Sequence, residues 1–366
     1  MRKIHYIIIF VVLILIVSGI VFLPERQPKP VPRQHSSGLR NIIIFYIDGL
    51  GNGHVSADYF FNNNDIYRDF QSCGYLIPSN SREMWLTDEA YSASSIATGY
   101  PVREGSISMD SSDNELPTFF DVAKKSNKKV GLITNASLSY ITPACFTVHS
   151  ENWEDEYSFA KKQVEIDFDL LMGGGQKFFL KNSTIKNFPQ IMLDNGYTYI
   201  DSLSKIKNIK PDSAKAIGLF TSEEVNASAP HGTDLQNMTK AALKYLRSER
   251  GFVLLVNNTH LDWYSHQKQE KNLFLELNEI AETLQIIRDF QQKNPGSLLI
   301  LTGGYDSGGF IISESIQYGS KGTLKQTSRK HTANFAPIFA SGLQHNKFNR
   351  IITPAELGKI IKELVR

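Results

Sequence analysis

The chain has 366 residues, which at ~100–200 residues per domain allows one large domain or two ordinary ones and excludes a small stapled scaffold. With 41% hydrophobic and 21% charged residues it can bury enough apolar surface to fold, so broad disorder is excluded too. Lys plus Arg number 39 against 37 Asp plus Glu, a balance that weighs against a polyanion binder, and no nucleic-acid partner is expected.

The first feature along the chain is an uncharged run, Ile4 to Leu23, long enough at 1.5 Å per residue to cross a hydrocarbon core of about 30 Å. Arg2 and Lys3 precede it, which keeps the N-terminus cytoplasmic and carries the remainder across the membrane. The run reads as an N-terminal anchor or a signal peptide over residues 1–23, and an uncleaved anchor is the reading preferred. The expectation is a membrane-anchored protein with its domain on the extracytoplasmic side, or a secreted one if the segment is cleaved. Prolines 24, 28, 30 and 32 then make residues 24–39 an extended spacer.

Asn41 to Ile47 is a β-rich apolar run ending in Asp48-Gly49-Leu50-Gly51, which predicts a buried strand with a carboxylate at its C-terminal tip. Ligands bind at that edge of an open α/β sheet. Further strands are predicted at 129–134, 168–172, 216–220, 251–257, 297–302 and 336–340, with helical patterns at 116–125, 234–247 and 273–292. The alternation implies an α/β fold with a central, mostly parallel sheet and helices on both faces, in one domain over 40–366. Cys73 and Cys145 read as buried thiols rather than a disulfide.

Asp262 and His266 stand four apart after a predicted strand, a spacing that lets both face one metal from a helix. His331 lies far downstream, just before another strand, and Asp48 closes the first one. His54, His149 and His260 read as structural.

Order and context add specificity, and here the chain resembles the alkaline phosphatase family. The resemblance rests on NIIIFYIDGLG at 41–51, TDEAYSASSIATGYPVREGSISMD at 87–110, ITPA at 141–144, DLLMGGGQKF at 169–178, the 251–266 block, 302–309 and 331–342, all in family order. It implies an alkaline-phosphatase-like fold and a hydrolase-like site built for two zinc ions and one magnesium. Carried over by position, Asp262, His266 and His331 would hold the first zinc, and Asp48 would bridge metals.

The same resemblance marks departures. Glu89 stands at the nucleophile position, where the family has a serine. Gly304 and Tyr305 occupy second-zinc ligand positions, and Trp153, or Asn152 in a shifted register, stands where the family presents a phosphate-binding arginine. The magnesium set keeps Asp48 and Thr142 but has Asn257 for a glutamate, which leaves a weak magnesium site. Lacking a serine, the covalent mechanism is unavailable, and without arginine the bidentate phosphate clamp is missing. The expected function is a membrane-tethered pseudophosphatase that binds one zinc and takes an anionic or phosphorylated ligand. The alternative is an altered zinc-dependent phosphatase or phosphoesterase using a metal-bound water. A homodimer is carried over from the family alone.

Overall fold

Residues 42–47 are buried without exception, and a strand so buried needs cover on both of its faces. Alternation along it sends Ile42, Ile44 and Tyr46 into one apolar core, and Ile43, Phe45 and Ile47 into the other. The computed structural model describes residues 38–80, 86–181, 187–208, 215–222, 234–313 and 322–366.

Among the described residues ten strands form the main sheet. The first eight are β1 (Asn41–Ile47), β2 (Ser72–Leu76), β3 (Lys129–Ser137), β4 (Leu170–Gly174), β5 (Thr198–Ile200), β6 (Ala216–Leu219), β7 (Phe252–Asn258) and β8 (Ser297–Thr302). Two short ladders follow, β9 (Asp306–Ser307) with β12 (His331–Thr332), and β10 (Phe310–Ser313) with β11 (Thr323–Gln326). The last sheet strands are β13 (Ala336–Gly342) and β14 (Ile351–Ile352). Their order is β14-β2-β13-β8-β1-β7-β3-β4-β6-β5. Only β13 runs antiparallel to its neighbours, β8 and β2. The mostly parallel sheet and every predicted strand are therefore present.

The helices that matter for the site are α1 (Asn52–Phe61), α2 (Glu89–Thr98), α3 (Phe119–Lys125), α4 (Ile141–Thr147), α5 (Asp234–Tyr245), α6 (His260–Gln267), α7 (Glu270–Lys293) and α8 (Pro354–Leu364). Helix α2 starts where the Asp88 side chain accepts the Tyr91 N–H at 2.6 Å, and it stops at Gly99 in the left-handed region, φ 72°. Residues from α2, α3, α4 and α8 join the core on one face of the sheet, while those from α1, α5, α6 and α7 join the other. The described residues between 38 and 366 belong to one compact unit. Cys145 is buried, but Cys73 is exposed because alternate residues of β2 point outward.

The membrane-anchored localisation is corrected here. Among the described residues no helix is long and apolar enough to cross a membrane. Residues 4–23, on which the anchor rested, and the proline-rich stretch up to residue 37 lie outside the described residues.

Helix α7 buries Leu273, Leu277, Ile280, Leu284 and Ile287 along one stripe, yet Glu276 and Glu279 are buried on it too. Burial pushes the Glu279 carboxyl up to about 8, helped by the charges of Glu276, Asp234 and Glu282. A carboxyl raised in the folded state binds a proton that the unfolded chain releases near its ordinary value of 4.5. Stability should therefore fall as pH rises from that value towards about 8, by at most about 1.4 kcal/mol per pH unit for one proton. Urea midpoints measured across that window should show the slope in the wild type and a flatter line in Glu279→Gln.

Candidate metal centre

The central strands β8, β1 and β7 end at Thr302, Ile47 and Asn258, and the candidate residues follow these ends. Asp48 comes directly after β1, with its N–H on the Asn258 carbonyl at 2.8 Å. Asp262 and His266 face the same point from α6, one turn apart. His331 reaches it because β12 pairs with β9, setting His331 opposite Ser307 and Thr332 opposite Asp306.

One ligand atom each from Asp262, His266 and His331 falls within 4.8 Å of the others. Both imidazole Nε2 atoms face the Asp262 carboxylate, at 3.4 Å for His266 and 3.6 Å for His331. Burial works to raise the Asp262 carboxyl, but the two histidines outweigh it and hold it well below the usual carboxylate range. Nδ1 of His266 meets the Arg329 carbonyl, the kind of outer contact that fixes a ligand imidazole. Two nitrogens and a carboxylate oxygen suit zinc, and three protein donors leave a coordination position open.

Gly49 shows how tightly this corner is built. Its φ is +73°, and a Cβ there would lie 2.7 Å from Asp262 Oδ1 and 2.6 Å from Ser307 Oγ. The Ser307 hydroxyl donates to Asp262 Oδ1, and its N–H donates to the Gly49 carbonyl at 3.0 Å. Asp306 is buried and accepts from Thr332 Oγ1 and, at 3.1 Å, from Asn334 Nδ2, which secures the strand carrying His331. Sequence reasoning singled out neither Ser307 nor Asp306. Both lie in the 302–309 segment, but the contact of Ser307 with Asp262 spans 45 residues.

Beside the triad, the Thr142 hydroxyl lies 2.7 Å from Glu89 Oε1 and 3.1 Å from Asp48 Oδ1. One hydroxyl proton cannot serve both carboxylates fully. Burial pushes the Glu89 carboxyl up to about 8, with Asp262 adding to it, while Asp48 is raised first by burial and then by Glu89. Asn257 Nδ2 stands 3.3 Å from Asp48 Oδ2, and its Oδ1 accepts from Thr134 at 2.7 Å. Asn257 thus supports Asp48 as a neutral donor.

The second-zinc positions hold no donor set. Gly304 is at φ +72°, and a Cβ there would sit 2.0 Å from the Tyr46 hydroxyl. The Gly304 carbonyl accepts from Ser92 Oγ at 3.0 Å. Tyr305 is fully buried, with its ring 4.2 Å from that of His331. Burial, followed by the charges of Asp262, Glu89 and Asp48, raises its hydroxyl well above the usual phenol range. The residues present do not fit a second zinc.

Trp153 packs against the core beside the Gly105 turn, and Asn152 is exposed with its Oδ1 on the Glu154 N–H. Ion pairs of Asp262 among the described residues are with imidazoles only. His54, His149 and His260 make structural contacts. His54 accepts the Gly51 N–H at 3.1 Å and reaches Ser265 Oγ at 3.0 Å, with burial lowering it to about 4. His149 Nε2 meets the Leu116 carbonyl at 2.9 Å. His260 Nδ1 stands 3.8 Å from Glu276.

A mostly parallel α/β sheet with Asp262, His266 and His331 gathered beside its central strand ends defines a protein with a candidate metal centre. The chain belongs to the alkaline phosphatase family, whose model matches residues 39–322. It is similar to alkaline phosphatase 3 of Bacillus subtilis, 24% identical over 309 residues, covering 79% of this chain and 66% of that protein. It therefore spans just under two thirds of that relative's length. Its fold matches the alkaline phosphatase of the Antarctic bacterium TAB5 with a TM-score of 0.83 at 23% identity, over 90% of this chain and 99% of that one. The cold-active alkaline phosphatase of a Shewanella species matches with a TM-score of 0.79 at 22% identity, over 89% and 100%.

Proposed function

We propose that this chain is a pseudophosphatase, a member of the alkaline phosphatase family that keeps one zinc centre and has given up covalent phosphoryl transfer. The packing at Gly304 carries the reading. A side chain able to ligate a second zinc from that position would have to displace the Tyr46 hydroxyl, 2.0 Å from where its Cβ would stand. A two-metal site neutralises charge on both the attacking and the leaving oxygen of an in-line displacement, and the site of Asp262, His266 and His331 by itself serves only one of them.

Glu89 supports the same reading. It stands where the family's nucleophile would be, already engaged with Thr142, and a carboxylate cannot form a phosphoserine. Zinc on Asp262, His266 and His331 supplies a positive charge for an anionic or phosphorylated ligand. Asp48 and Thr142 remain as oxygen donors for a weak magnesium site. Family membership makes a homodimer the assembly to test first.

The test is hydrolysis of a generic phosphomonoester by the full chain with added zinc and magnesium, beside Asp262→Ala as the control for contaminating phosphatase. Wild type and control should be indistinguishable, and Glu89→Ser should gain no turnover, because returning the nucleophile does not return the second metal. Metal-dependent turnover that vanishes in Asp262→Ala would overturn the reading in favour of an altered zinc-dependent phosphatase.

A further inference from the structure

We infer that Glu276 is a positioning residue for the metal centre, fixing the entry to α6 through Asn135 and Asn258. The inference rests on the zinc assignment made above. Glu276 lies on the apolar stripe of α7 and is fully buried. An aliphatic side chain would pack there without the cost of taking a carboxyl out of water. One of its oxygens instead holds two amides, while Oε2 has His260 Nδ1 at 3.8 Å. Its Oε1 accepts from Asn258 Nδ2 at 2.5 Å and from Asn135 Nδ2 at 3.3 Å.

Both amides pass the constraint on. Asn135 comes from β3, and its Oδ1 accepts the Thr259 N–H at 2.9 Å and the Thr259 hydroxyl at 3.0 Å. Asn258 ends β7, and its Oδ1 accepts the Leu261 N–H at 3.3 Å. Thr259 immediately precedes α6 and Leu261 lies in its first turn, on the helix that carries Asp262 and His266. The Asn258 carbonyl also holds the Asp48 N–H at 2.8 Å. One buried carboxyl thus sets the start of the ligand helix, and it sets the residue whose carbonyl fixes Asp48. All of these groups are buried, so no water competes for the bonds. Outer partners of this kind orient metal ligands without touching the metal.

The test is zinc affinity of the full chain, read by competition with a chromophoric chelator, for wild type, Glu276→Gln, Glu276→Leu, Asn135→Ala and Leu277→Ala. Glutamine keeps the accepting oxygen, so its affinity should stay close to that of the wild type. Glu276→Leu should weaken zinc by about 10–100-fold, the range for loss of an outer partner. Asn135→Ala cuts the relay but leaves Glu276 in place; it should weaken zinc in the same direction and serves if the leucine variant fails to fold. Leu277→Ala should lower the melting temperature with little change in zinc affinity. Unchanged affinity in both relay variants, or a loss no larger than in Leu277→Ala, would reduce Glu276 to a fold-stabilising residue. A wild type that takes up no zinc would instead remove the zinc assignment, and this role with it.

Discussion

Asp262→Ala is expected to weaken zinc binding by more than about 100-fold, beyond the 10–100-fold typical of losing an outer partner, because a ligand itself is removed. Asp262 is the only anion of the triad, and both histidines turn Nε2 towards it. A metal bound by the folded state stabilises it by RT ln(1 + [L]/Kd), about 2.7 kcal/mol at 100 times Kd. With the affinity lowered 100-fold, the same zinc concentration would add only about 0.4 kcal/mol. Thermal melts with and without zinc read this directly. Zinc should raise the wild-type midpoint by several degrees and leave that of Asp262→Ala nearly unmoved. An equal rise in both proteins would show that zinc binds elsewhere.

The second large effect is expected at Gly304. In Gly304→Ala the new Cβ would lie 2.0 Å from Tyr46 Oη and 2.8 Å from Tyr46 Cζ, on a residue with φ at +72°. Overpacking in a rigid core costs about 1–3 kcal/mol, and holding a residue with a Cβ in the left-handed region adds about 1 kcal/mol. A loss of about 2–4 kcal/mol in urea unfolding is therefore expected. Adding Tyr46→Phe removes the nearest clashing atom, so the double variant should be more stable than Gly304→Ala alone, while Tyr46→Phe on its own should be mild. Additive losses would mean that Tyr46 does not fill this space, and the argument against a second metal would lose its main support. The comparison is a double-mutant cycle between contacting groups, where departure from additivity is the quantity of interest.

Much of the scaffold was legible because its signals are local. From residue 42 to residue 47 the β1 run is buried throughout since helices cover the sheet on both faces, and the alternation of Ile42, Ile44 and Tyr46 with Ile43, Phe45 and Ile47 divides the two cores. The spacing of Asp262 and His266 was legible for a similar reason, because four residues make about one helical turn. Glu89 and Gly304 were recognisable as departures only because the family pattern fixed the register around them. The localisation rested on residues 4–23 alone, outside the described part of the chain, and gained no support from it.

Contacts between distant residues were not legible. No periodicity links Thr142 to both Asp48 and Glu89, or Asp262 to Ser307. Nothing in the sequence separates Tyr46 from the rest of the β1 run, and only the folded chain brings its hydroxyl against Gly304. Nothing in the sequence sets Glu276 apart from the other charges of the 273–292 helical pattern, whereas the folded chain buries it against Asn135 of β3 and Asn258 of β7 and gives it two amides to hold. By itself the sequence determined the α/β architecture, the family and the residue types at the site, since those follow from short-range pattern and order. Tertiary structure alone decided which oxygen, nitrogen and hydroxyl atoms meet, because backbone traces from distant segments must first be packed at the sheet edge before any such distance exists.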